Sequence, residues 1–105
     1  MTNNLSLHIK QQILCLSGYC SFASVAKLDQ ERAIETLLPS LPLDVQLDLS
    51  GIENASSAIL PLLLQLKRSA ANQNKHLQLQ AIPESLLAMI KLAELDGLLL
   101  SEHSF

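Results

Sequence analysis

The sequence predicts an α/β fold: a single domain with a mixed sheet of four to five strands and helices mainly on one face. Apolar and polar residues alternate at Leu5–Ile9, Val45–Leu49 and Leu77–Leu79, the period of a strand with one covered side. Leucine-rich stretches with helical spacing lie between these alternations. Strands joined through helices favour parallel or mixed pairing with right-handed crossovers. With 105 residues, 49% of them apolar, the chain can build one independent core.

Each element follows from its residues. Leu5, Leu7 and Ile9 alternate with Ser6 and His8 in a first strand. Lys10-Gln11-Gln12 makes a polar hairpin connection to a second strand, Ile13–Leu16. Ser17-Gly18 then bends or breaks it, with Gly18 free to take a backbone conformation closed to other residues. From Ser24 the period becomes helical, through Val25, Leu28, Ala33, Ile34, Leu37 and Leu38, with Ser21 or Ser24 as the cap. Pro39 and Pro42 end that helix, because each lacks the amide that a further turn needs.

A third strand, Val45–Leu49, leads through Ser50-Gly51 to a helix predicted over Ser57 to Asn72. Leu60, Leu63, Leu64, Lys67 and Ala71 share one face of it, and Leu62, Leu66 and Ser69 another. Leucines on two faces mean either burial on two sides or one face offered to a partner. Leu77 and Leu79 mark a further strand. Pro83-Glu84-Ser85 opens a third helix whose core stripe is Leu86, Leu87, Met89, Ile90 and Leu92 or Ala93, ended by Asp96-Gly97. Leu98–Leu100 gives a last short strand or helical turn.

The totals narrow the function. A net charge of -3 with seven scattered basic residues excludes a nucleic-acid surface, which needs clustered Lys and Arg. MTNNLSLHIKQQ lacks the basic start and apolar run of an export signal. The leucine cluster Ile59–Leu66, broken by Pro61 and Gln65, falls short of the roughly 18 apolar residues of a membrane span. A cytoplasmic location is expected, with Cys15 and Cys20 as a reduced, partly buried pair whose spacing matches neither a redox nor a common zinc motif. His8, His76 and His103 lie far apart with no ligand-spaced partner, so no metal or cofactor is expected. Asp48, at a strand end, serves the next turn. Without a Gly-x-Ser-x-Gly elbow or a phosphate-cradling glycine loop, the chain reads as a non-enzyme.

The most informative stretch is Val45–Ala71. A strand runs through a short polar connector into Ser56-Ser57 and a leucine-rich helix. Such a helix start puts backbone N–H groups beside a surface hydroxyl, a place suited to docking a partner or carrying a phosphate.

The order of elements, with these residues, resembles the STAS domain, shared by bacterial anti-sigma-factor antagonists and the tails of sulfate transporters. Val45-Gln46-Leu47-Asp48-Leu49-Ser50-Gly51 matches that family's strand-to-loop signature. Ser56-Ser57-Ala58-Ile59-Leu60 stands where Asp-Ser/Thr-x-Gly-Leu is usual. Leu77–Pro83, followed by Leu92-Ala93-Glu94-Leu95, looks like the closing strand and helix. Within the family, Ile13–Gly18 and Leu60–Leu66 look most like the small cytoplasmic STAS subunit of bacterial phospholipid-trafficking ABC transporters.

The resemblance implies a non-catalytic subunit that docks the transporter's ATPase and supports its assembly and activity, peripheral to the inner membrane through the complex. The implied partner-binding residues are Ser56, Ser57, Ile59, Pro61, Leu62, Leu66 and Ser69, with the helix at Glu84–Ala93 assisting. Self-association stays open. Ser56 stands in place of the usual Asp, and Ile59, in place of the usual Gly, thickens the helix start. This degenerate motif fits constitutive docking better than a phospho-switch. The rival readings are an anti-sigma-factor antagonist phosphorylated on Ser57, and a carrier with a leucine-lined pocket for lipid or another apolar ligand.

Overall fold

The computed structural model describes residues 4–54 and 56–100. Strands β1 (Leu5–Lys10) and β2 (Ile13–Tyr19) form an antiparallel hairpin. Its two-residue turn holds Gln11 at φ 53° and Gln12 at φ 67°, the twist that suits tight hairpins. Helices α1 (Phe22–Gln30) and α2 (Ala33–Leu37) follow, then a 3-10 turn at Leu38–Ser40. Strand β3 (Asp44–Asp48) and a short strand β4 (Ile52–Asn54) precede α3 (Ile59–Asn72). Strand β5 (His76–Gln80), α4 (Glu84–Leu92) and α5 (Asp96–Leu99) complete the order.

The sheet is mixed and five-stranded, in the order β1-β2-β3-β5, with β4 pairing beside β2. All pairs except the first hairpin are parallel. Leu5, Leu7, Leu14, Leu16, Val45, Leu47 and Leu77 are buried, whereas Ser6, His8, Gln46, Gln78 and Gln80 are exposed. The helices therefore cover one face, as the period-two alternation predicts.

Several expectations are revised. The predicted helix from Ser24 to Leu38 is two helices, because Arg32 adopts φ 54° and interrupts the ladder. Ser21 and Ser24 both act at its start, forming a reciprocal capping box. Strand β4 is too short for its three residues to show a period. α4 ends at Leu92, and Glu94 takes the left-handed conformation after it, so Asp96-Gly97 begins α5 instead of ending α4. Leu92 lies outside the core stripe at 86% exposed; Leu86 and Ile90 are the buried members. Of the two alternatives for Leu98–Leu100, the helical turn holds, since Leu98 and Leu99 belong to the short helix α5.

Gly18 behaves as expected. Its φ is 112°, and a Cβ there would lie 2.1 Å from the Asn4 carbonyl oxygen. This crowding lets Asn4 accept from the Tyr19 N–H at 2.9 Å and hold the end of β2 against β1. At the far end of the sheet, the buried Lys75 ammonium donates to the Leu41 carbonyl, tying the α3–β5 turn to the segment before β3.

Candidate functional site

β2, β3, β4 and β5 run parallel, so the loops leaving their carboxyl ends gather at one end of the sheet. Backbone bonds make this end stiff. Gly18 N–H donates to Gly51 O at 3.0 Å, Leu49 N–H to Gln80 O at 3.0 Å, and the Ser24 hydroxyl to Tyr19 O at 2.9 Å. Gly51 is required here, since a Cβ would meet Ser17 Cβ at 2.5 Å. Asp48 serves this turn as anticipated: its Oδ1 accepts from the Ser50 N–H at 2.8 Å. That hydrogen bond lowers the Asp48 carboxyl below its ordinary range.

Helices α1 and α3 both begin at this end and run back side by side. Two contacts fix their alignment. The Ser56 hydroxyl lies 4.0 Å from Cys20 Sγ, and Gln65 Nε2 donates to Asp29 Oδ1 at 3.2 Å. Both join residues 36 apart in sequence, so Phe22 at the head of α1 stands level with Ala58 at the head of α3. Burial raises the pKa of the Cys20 thiol, with hydrogen bonding from Ser56 opposing it. Cys20 is buried and Cys15 half-buried, and neither forms a disulfide among the described residues.

Ser57 is exposed but does not cap α3. The helix starts at Ile59 with no side-chain cap, and the Ser56 hydroxyl instead accepts from Ala58 N–H at 3.3 Å. The carbonyls of Ser56 and Ser57 take the amides of Ile59 and Leu60. The Ser57 hydroxyl is left facing solvent with no side-chain hydrogen bond among the described residues.

The leucine handle expected on α3 is absent. Leu62 is 1% exposed, Leu66 0% and Ile59 0%, all within the core. α3 packs against β5 and is flanked by α1, α2 and α5, so it needs apolar residues on several sides. Burial on two sides is the alternative that holds. Ile59 points inward, so it does not thicken the surface where the family usually has Gly. Of the residues expected to meet a partner, Ser57 and Pro61 are exposed, Ser56 and Ser69 are half-buried, and Ile59, Leu62 and Leu66 are sealed.

The exposed apolar groups at this end come from elsewhere. Phe22 is 72% exposed and Tyr19 37%. Sequence reading missed both, because an aromatic beside a helix cap looks like core. The segments 19–26 and 50–66 carry a single charge, Glu53. The surface is therefore an aromatic and hydroxyl patch without cations, built on stiff strand ends.

His8 and His76 are exposed strand residues, and His103 lies outside the described residues. Among the described residues no three His, Cys, Asp or Glu side chains gather as a metal site. Nor is any helix among them long and apolar enough to cross a membrane. A cavity of about 240 Å³ lies between β1 and α1, lined in part by Asn4, Ser6, Lys27 and Glu31, and not by the leucines of α3.

The family model described as "Mlab, STAS domain" matches residues 4–101. No curated protein matches the chain. The chain therefore belongs to the MlaB-type STAS domain family, and STAS domains are generally binding and regulatory domains.

Proposed function

We propose, from this family membership, that the chain is a non-catalytic subunit that docks the ATPase of a phospholipid-trafficking ABC transporter, an MlaF-like protein. It supports the assembly and activity of that ATPase. In this reading the chain is cytoplasmic, is peripheral to the inner membrane through the complex, and contributes to outer-membrane lipid asymmetry. One observation carries it: the aromatic patch of Tyr19 and Phe22, on segments without Lys or Arg, with the exposed Ser57 and Pro61 at the same end of the parallel strands.

Interfaces draw most of their affinity from a few aromatic anchors that become desolvated. Covering Phe22 offers about 3 kcal/mol of gross apolar gain, before the cost of association. Binding that is stronger in the assembled ATPase state shifts the ATPase toward that state.

A phospho-switch on Ser57 is the second reading, and the exposure of that residue favours it. Against it, the segments around Ser57 contain no Lys or Arg to meet a phosphate. The test is co-purification with the ATPase from cells that express both. Phe22→Ala and Ser57→Glu should each leave the chain folded and abolish capture; capture retained by both would overturn the docking surface. Incubation with ATP and a native lysate separates the readings, since phosphate appearing on Ser57 would favour the switch.

A further inference from the structure

β1 is an edge strand, and its unpaired groups follow from the hairpin register. Asn4 accepts from Tyr19 N–H, so Asn4 and Tyr19 form a hydrogen-bonded pair. Alternation then makes Ser6–Ser17, His8–Cys15 and Lys10–Ile13 the further bonded pairs. Leu5, Leu7 and Ile9 turn their N–H and C=O groups away from β2, and these meet no partner among the described residues. Such an edge is a template for another strand.

We propose that this edge is an interface between two copies of the chain, with β1 paired antiparallel to itself about a two-fold axis at Leu7. In that register Leu7 faces its own equivalent, and Leu5 faces Ile9 of the other copy. All three outward residues then exchange backbone bonds. Leu5 and Leu7 are buried already, and the half-buried Ile9 gains cover. On the open face, Lys10 falls opposite Asn4 and His8 opposite Ser6, so no like charges meet.

The helix above the edge supplies the complementarity that selects a second copy. Lys27 on α1 and Glu31 at its C-cap, one turn apart, are exposed at the lip of the cavity beside Asn4–Leu7. Neither makes an ion pair among the described residues. Asp29, midway between them, lies about 10 Å along α1 from Phe22, at 1.5 Å per residue. Leu7 lies about 10 Å along β1 from Asn4, at roughly 3.3 Å per residue. Both elements start at the same end of the sheet, so Asp29, whose carboxylate is held by Gln65 of α3, stands about level with Leu7 and with the two-fold axis. The axis carries Lys27 of each copy toward Glu31 of the other, and the pattern is self-complementary, as a two-fold interface requires.

The test uses the full chain in sedimentation velocity over a concentration series, with amide exchange in parallel. The 11.5 kDa chain should double in mass as concentration rises. The amides of Leu5, Leu7 and Ile9 should slow with concentration, while those of Ser6, His8 and Lys10, already held by β2, should not. Lys27→Glu alone and Glu31→Lys alone should each weaken the dimer about tenfold or more, by setting like charges across the axis. An equimolar mixture of the two variants should associate again. A wild-type chain that stays at monomer mass up to about millimolar concentration overturns the proposal and leaves the edge to a strand of another protein. Single variants that dimerise as well as the wild type, or a mixture that does not recover, overturn it too.

Discussion

Helices α1 and α3 lie side by side and start at the same end of the sheet, yet they treat apolar residues in opposite ways. α3 carries five leucines and an isoleucine, and it buries Ile59, Leu62, Leu63, Leu66 and Ala70. α1 buries only Ser24 and Leu28, and its head presents Phe22 to solvent. α3 sits centrally, against β5 and between helices, whereas α1 is a flanking helix over β1. The leucine count of a helix therefore reports how many neighbours surround it. The residue free to meet another protein is on the helix with fewer neighbours.

The largest effect expected is on stability, at α3. Leu66→Ala removes a side chain with no exposure and should cost about 2–5 kcal/mol, read as a fall in the denaturation midpoint. Leu62→Asp should be worse, because it places a carboxylate in the core. Loss of ATPase capture by either variant would then report unfolding and not a lost contact. If either variant kept a wild-type midpoint, the contrast between the helices would collapse.

Phe22→Ala reverses the pattern. With most of its ring in solvent, its removal should shift folding stability by no more than about 0.5 kcal/mol. Its effect on ATPase affinity should reach about 2 kcal/mol, the scale of an interface anchor. A titration of the ATPase with the purified variant measures this directly.

Much of the architecture was legible in the residues. Where one face of a strand is covered, burial imposes a period of two, so β1, β3 and β5 could be read directly. Pro39 marked a real helix end and Gly18 a real irregularity within β2, because a missing amide and a positive φ leave few alternatives. The break between α1 and α2 was not legible: Arg32 takes a left-handed conformation that its side chain does not advertise. Strand β4 was too short to carry a pattern. The candidate site was half legible. Ser57 and Pro61 were placed at the surface, but Leu62 and Leu66 could not be told from a docking ridge, since a central helix and an outward amphipathic one use the same leucines. Phe22 stayed hidden because composition does not distinguish an exposed aromatic from a buried one.

A middle-sized effect separates the two helix starts. α1 depends on the Ser21–Ser24 box, in which the Ser21 hydroxyl accepts from Ser24 N–H at 3.1 Å and the Ser24 hydroxyl from Ser21 N–H at 2.8 Å. Ser21→Ala should therefore cost about 1 kcal/mol in thermal or denaturant unfolding. It should also lower the order of Phe22 beside it and weaken ATPase capture in proportion. A Ser21→Ala chain as stable as the wild type would mean that packing alone sets the start of α1.

The smallest effect is expected at Ser57, and it sharpens the contrast most. A serine heading a helix ordinarily contributes about 1 kcal/mol as a cap. Here the helix begins two residues later with no side-chain cap, and just ahead of it the Ser56 hydroxyl accepts from Ala58 N–H and the Ser56 carbonyl from Ile59 N–H. Ser57→Ala should leave stability within about 0.5 kcal/mol, whereas Ser56→Ala should lower it measurably. If the two substitutions exchanged these outcomes, Ser57 would be spent on holding its own helix and would not be free for a partner. If they do not, the exposed hydroxyl contributes nothing to the fold, and any loss of ATPase capture in Ser57→Ala belongs to the interface alone.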